Sequence, residues 1–158
     1  MNASTNKVAQ KLRMSSSGFT LIELMVTIAV LAIIVGIAAP SISTQLANQR
    51  VKSTTATLAN ALKEAKVESV IRRQSMEFSF DDSNHLIAIK SDNSNNIAQY
   101  SYSAKNTIKA DKATIVFRPS KRADEVTYTV CDTKNTSVAM QVIVTAVASI
   151  STVAGGTC

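Results

Sequence analysis

Gly18-Phe19-Thr20-Leu21-Ile22-Glu23-Leu24-Met25-Val26 opens a stretch that continues as Thr27-Ile28-Ala29-Val30-Leu31-Ala32-Ile33-Ile34-Val35-Gly36-Ile37-Ala38-Ala39-Pro40. No residue between Leu24 and Gln49 carries a charge. About 20 apolar residues suffice to cross the hydrocarbon core as a helix, so the stretch predicts a membrane-inserted segment. Ahead of it, Met1–Ser17 is polar, basic and free of acids, with Lys7, Lys11 and Arg13. Basic residues on that side predict a cytoplasmic N-terminus and an exported remainder. A secretory signal peptide fits poorly: the basic region and the apolar run are both too long, and no small-residue cleavage motif follows.

Glu23 is the informative residue. A carboxylate within a membrane helix is costly, about 2.5–3.5 kcal/mol at its centre, and persists only with a partner or a function. The next basic residue is Arg50. Cutting the chain after Gly18 would create an α-amino group on Phe19. That amine could neutralise Glu23, in the same chain or in a neighbour.

Working outward, the 158 residues hold one domain plus an extra element. The formal charge is +6, but the cut would remove three basic residues and no acid, leaving +3. Nucleic-acid binding does not follow from that balance. Aromatic residues make up 4% of the chain and Trp is absent, so a core must be built from Val, Ile, Leu and Ala. Cys131 and Cys158 are the two cysteines, and outside the cytoplasm they are a natural pair. Their loop closure would add roughly 3–4 kcal/mol on the chain-entropy view.

From Ser43 to about Gln74 the spacing is helical. Val51, Thr55, Leu58, Leu62, Ala65 and Ser69 recur at intervals of four and three and form one face. Glu68 and Arg72 make a favourable i,i+4 pair. The membrane helix and this amphipathic one are expected to be continuous. After Gln74 the period becomes two, in 76–80, 86–89, 100–102, 113–117, 126–130 and 138–147. The breakers are 81–84, 91–96, 118–120 and 132–136. One long helix followed by strands predicts an α+β fold with an antiparallel sheet or small β-sandwich on which the helix packs.

Gly18 to Glu23 and the run beyond resemble the class III signal of type IV pilins and type II secretion pseudopilins. Leu58 to Arg73, Ile115-Val116-Phe117-Arg118-Pro119 and Thr129-Val130-Cys131-Asp132 resemble the later elements of the GspH/FimT group of minor pilins and pseudopilins. The resemblance implies a pilin-like fold, with a leader 1–18 removed by a prepilin peptidase between Gly18 and Phe19. It also implies N-methylation of Phe19, and pairing of Glu23 with a neighbour's N-terminal amine during filament assembly. Gly36 and Pro40 fall where such helices loosen or kink. Residues 19–42 would be the transmembrane and assembly half of the helix, and 43–158 the periplasmic domain. The implied partners are major and minor pilins or pseudopilins and the inner-membrane assembly platform. The implied location is the bacterial inner membrane, then the pilus fibre. The leading expectation is a minor subunit of a type IV pilus at or near its tip, the alternative a GspH-type pseudopilin of a type II secretion system. The group's Gly-Arg-Val/Ile element is replaced here by Ala148-Ser149-Ile150.

Other chemistry is sparse. His85, the single histidine, follows Asp81-Asp82 and reads as a solvated loop residue rather than a weak metal ligand. The cysteines are too far apart for a zinc knuckle, no Gly-rich phosphate loop exists, and one His makes a catalytic triad improbable. No enzyme activity, cofactor or metal is expected. Lys105, Lys109, Lys112, Arg118, Lys121 and Arg122 could form a DNA-binding patch, as in FimT-type DNA receptors. Few aromatics stand nearby for stacking, and the absent arginine near Ser149 weakens that version further.

Overall fold

A computed structural model of the chain describes residues 18–92 and 95–158, with the backbone alone for 38–41. The expected leader and its basic residues therefore lie outside the described residues, as does the side chain of Pro40. Helix α1 runs Leu21–Arg72 and is followed by nine strands: β1 Met76–Asp81, β2 Leu86–Ser91, β3 Asn96–Ser101, β4 Asn106–Lys109, β5 Thr114–Arg118, β6 Arg122–Ala123, β7 Val126–Asp132, β8 Ala139–Val144 and β9 Ile150–Ala154. The chain divides into two compact units between Ala39 and Pro40.

In the first unit the helix has no internal core. Its large apolar residues are half or more exposed throughout, from Phe19 at 79% to Ile37 at 75%. Leu21–Ile37 alone is too short to cross a membrane; by length and composition it qualifies only together with Ile42–Arg72.

The second unit is organised around the amphipathic part of α1. Val51, Thr55, Leu58, Leu62, Ala65 and Ser69, the residues whose spacing predicted one face, are all buried. Lys52 and Lys63 point to solvent. The helix stops at Arg72 because Arg73 adopts a left-handed backbone (φ 53°), a common way of ending a helix. Glu68 and Arg72 form the expected i,i+4 ion pair.

The strands form two antiparallel sheets, one in the order β3-β2-β1-β5-β6 and one in the order β4-β7-β8-β9. Alternation sends Met76 and Phe78 of β1, Ile87 and Ile89 of β2, and Ile115 and Phe117 of β5 into the core. The second sheet contributes Ile108, Tyr128, Val130, Val142 and Val144. Tyr128 joins the sheets, its ring meeting Phe78 and Phe80 edge-on at centroid distances of 5.7 and 5.8 Å.

The strand expectations need correcting in five places. β4, β6 and β9 lie outside the expected strands, β3 begins at Asn96 rather than Tyr100, and the expected strand 138–147 is shortened to 139–144. In the last case a turn at 145–149 reverses the chain: Thr145 N–H donates to Ser149 C=O at 3.1 Å, and Ala148 N–H to Thr145 C=O at 2.8 Å. Ala148 takes a left-handed backbone there (φ 52°) and is fully buried.

Candidate assembly site

The start of α1 is built by Thr20. Its hydroxyl accepts the Glu23 N–H at 3.2 Å, and its carbonyl accepts the Leu24 N–H at 3.2 Å. Thr20 is thus an N-cap and Glu23 the third helical residue, the spacing of a capping box. An acid in the first turn also suits the positive end of the helix dipole. Among the described residues the Glu23 carboxylate meets no cation. The cap therefore fixes where the carboxylate leaves the helix.

A Cβ built on Gly18 or Gly36 would meet nothing within 4 Å. No packing among the described residues demands glycine at these positions.

In the second unit the polar chemistry is directed inward. Arg50 on α1 donates from Nε and Nη2 to Asp132 Oδ2 at 3.1 and 2.8 Å. The other oxygen of Asp132 accepts the Lys134 and Asn135 N–H groups at 3.0 Å each. The Asp132 side chain is fully buried. Burial pushes its carboxyl up, but Arg50 and the two amides more than offset this and hold it below the usual carboxylate range. Beside it, Asn106 of β4 donates to the Arg50 carbonyl at 2.9 Å and to Thr54 Oγ1 at 2.7 Å.

The next residue along, Cys131, is bonded to Cys158 with Cα atoms 5.9 Å apart. To reach it, the tail leaves β9 through Gly155, whose N–H donates to Ala139 C=O at 3.0 Å. It then crosses β7 and β8 at Gly156. A Cβ there would lie 2.8 Å from Thr129 Cγ2 and 3.0 Å from Gln141 Cγ, and φ is 125°, so only glycine fits. The Lys109 ammonium donates to the Cys158 carbonyl. This clamp of Arg50, Thr54, Asn106 and Asp132 was missed in the sequence. Its one available signal was that Arg50 is the first charge after the uncharged run.

The remaining candidates are dispersed. Lys105 and Lys109 flank and end β4, in one sheet. Lys112, Arg118, Lys121 and Arg122 flank or belong to β5 and β6, in the other. All six are exposed, but Arg118 is paired with Asp124 at 3.1 Å and Lys109 is held by the tail. Burial raises the Asp124 carboxyl, yet the Val116 amide, Arg118 and Lys112 bring it below its ordinary value. His85 departs from the expected solvated loop. Its backbone is left-handed (φ 53°), its ring stands edge-on to Tyr102 at 5.4 Å, and its Nδ1 is buried. Tyr102 in turn donates to Asp82 at 2.7 Å, which draws the β1–β2 turn down against the strands. No group of three or more metal-ligating side chains occurs among the described residues.

Residues 13–39 match the family described as the prokaryotic N-terminal methylation motif. No curated protein matches the sequence. In structure the chain is similar to the type IV minor pilin FimU of Pseudomonas aeruginosa. The TM-score is 0.61 at 16% identity, over 70% of this chain and 96% of that one. It is also similar to the minor pseudopilin EpsH from the type 2 secretion system of Vibrio cholerae. There the TM-score is 0.58 at 8% identity, over 66% of this chain and 97% of that one. Both likenesses are of fold, a long N-terminal helix followed by antiparallel sheets. The chain thus carries a prokaryotic N-terminal methylation motif over residues 13–39 and shares the pilin-like fold of FimU and EpsH.

Proposed function

We propose that the chain is a minor subunit of a type IV pilus, held in the bacterial inner membrane until assembly and then placed at or near the fibre tip. Cleavage after Gly18 would free the Phe19 α-amine that Glu23 lacks, and N-methylation would leave that amine cationic. The segment 19–42 would span the membrane with its N-terminal end cytoplasmic, then pack among other pilin helices, and 43–158 would be periplasmic before display on the fibre. The observation that carries this reading is Glu23, capped and unpaired among the described residues, five residues past Gly18 on a helical segment, Leu21–Ile37, whose large apolar side chains are all exposed. Two costs, an unpaired carboxylate and uncovered hydrocarbon, are relieved together when such helices bundle.

Substituting Glu23→Ala should leave leader removal intact and abolish assembly, scored by immunoblot of membranes against sheared fibres. Normal piliation in that variant would overturn the proposal.

The likeness to EpsH favours a second reading, a GspH-type pseudopilin of a type II secretion system. A deletion separates the two. Loss of twitching with normal exoprotein release supports the pilus, and the reverse supports secretion.

A further inference from the structure

An antiparallel sheet must do something with its edge strands, because an open edge recruits other strands. The two sheets here have four edges, β3, β6, β4 and β9. Three are blunted. β3 pairs through a register shift at Ile89/Lys90. β6 is two residues long and carries Arg122. β4 is four residues long, ends in Lys109 and lies against the Cys158 carbonyl.

β9 has none of these devices. Ile150-Ser151-Thr152-Val153-Ala154 contains no charge and no Pro, and no charged residue occurs anywhere from Asn135 to Cys158. It is exposed on both faces. Its open side can be read from the ladder. Thr145 N–H bonds Ser149 C=O at one end and Gly155 N–H bonds Ala139 C=O at the other. Bonded and non-bonded pairs alternate in an antiparallel ladder, so Val144↔Ile150, Val142↔Thr152 and Met140↔Ala154 are non-bonded pairs. The backbone N–H and C=O groups of Ile150, Thr152 and Ala154 therefore face away from β8. A second observation coincides with this one. Beyond the C-terminal end of α1, the exposed large hydrophobics among the described residues are Val147 and Val153, both on the β8–β9 hairpin.

We propose that β9 is the docking edge for a neighbouring subunit, which adds an extended, uncharged strand to it. The occupant is a different pilin-type subunit, not a second copy. Two copies paired β9 to β9 would make a closed two-fold dimer, whereas a fibre needs head-to-tail contacts. A head-to-tail pair of this chain would have to offer β9 one of the blunted edges. The partner is therefore a subunit with an open edge strand of its own. This inference rests on the fibre-subunit reading above.

The test is made on the full chain in cells that assemble the fibre. A photo-crosslinking residue replaces Val153, and a control replaces Ser101 at the β3 edge. Position 153 should give an adduct with a different polypeptide that mass spectrometry shows to carry an N-terminal methylation motif. Position 101 should give none. Thr152→Pro removes one outward N–H without touching the β8 ladder, and Val153→Lys places a charge on the edge. Each should lower fibre incorporation about tenfold while leaving the Cys131–Cys158 bond and membrane level unchanged. No adduct at 153, an adduct only with a second copy or with a non-pilin, or normal incorporation of both variants would overturn it. The two readings fail separately. If Glu23→Ala blocks assembly but the β9 variants incorporate normally, the fibre subunit stands and the docking edge falls.

Discussion

α1 carries two stretches of hydrophobic sequence with opposite fates. Leu31, before Pro40, is 58% exposed, while Leu58, beyond it, is 0% exposed. Beyond Pro40 the large apolar residues of one helix face, Val51, Leu58 and Leu62, are buried in the core with the strand residues, and the buried acid Asp132 has its cation. Before Pro40 nothing apolar is covered and Glu23 has no cation among the described residues. The difference teaches where each half finds its free energy. The second unit is stabilised by its own contacts. The first finds no such contacts among the described residues, and on the proposed function its stabilisation comes from lipid or from other helices.

The same substitution in both halves gives the largest contrast. Leu58→Ala should destabilise the second unit by about 2–5 kcal/mol, because it removes a fully buried side chain and leaves a cavity. Leu31→Ala should leave thermal unfolding of that unit unchanged. It should instead weaken retention in the membrane or the fibre. Unfolding of the detergent-solubilised chain, followed by circular dichroism, checks the first outcome, and fractionation of membranes and fibres checks the second. A loss of stability in Leu31→Ala would break the division drawn between the halves.

Next in size is the clamp. Asp132→Ala leaves Arg50 without its carboxylate in a largely buried site and should cost about 3 kcal/mol. The sign of the pH effect follows from the depressed Asp132 carboxyl. Below its ordinary value of 3.8 the unfolded chain takes up protons before the folded one does. Its contribution is therefore complete at neutral pH and is lost as pH falls through the lowered value. Asp132→Asn should make stability fall less steeply on acidification. Some slope will persist, because Asp81 and Asp124 are also depressed, Asp81 chiefly by the Asn84 side chain. Denaturant melts across the acid range measure it, and an unchanged slope would remove Asp132 from the account.

These effects also mark what could be read in the chain beforehand. The face from Val51 to Ser69 was legible because a single covering sheet imposes one period. Glu23 was legible because nearby sequence offers it no partner. Arg50 and Asp132 are 82 residues apart, and nothing local in either announces the other. β4 holds one large apolar residue, Ile108, and is made a strand by its pairing with β7 from Asn106↔Asp132 to Lys109↔Thr129. β9 has no alternation to detect, since both of its faces are open. Local pattern reports burial against one surface, and the missed elements are those defined by a distant partner or by none.

A smaller prediction concerns the joint between the sheets. The Tyr128 hydroxyl is buried and finds no hydrogen-bond partner among the described residues, and burial raises its pKa. An unsatisfied buried hydroxyl opposes folding, so Tyr128→Phe keeps the edge-on contacts with Phe78 and Phe80 and should stabilise by about 1 kcal/mol. A loss of stability in that variant would show that the hydroxyl has a partner, such as a bound water.

The smallest effect tests the end of the helix against its middle. Arg73 is exposed and holds a left-handed backbone that costs a side-chain-bearing residue about 1–2 kcal/mol. Glycine relieves that cost but frees the unfolded chain, which takes back about 0.5–1 kcal/mol. Arg73→Gly should therefore stabilise by about 0.5 kcal/mol, raising the melting midpoint by roughly 1–2 °C for a chain of this size. Lys63→Gly, at an exposed position inside the same helix, should lower stability by about 1 kcal/mol, because there glycine gives up helical propensity with no strain to relieve. Opposite signs from one kind of substitution, ten residues apart on one helix, would locate its end at Arg72. Equal signs would mean that the helix continues through Arg73, as the spacing up to Gln74 had suggested.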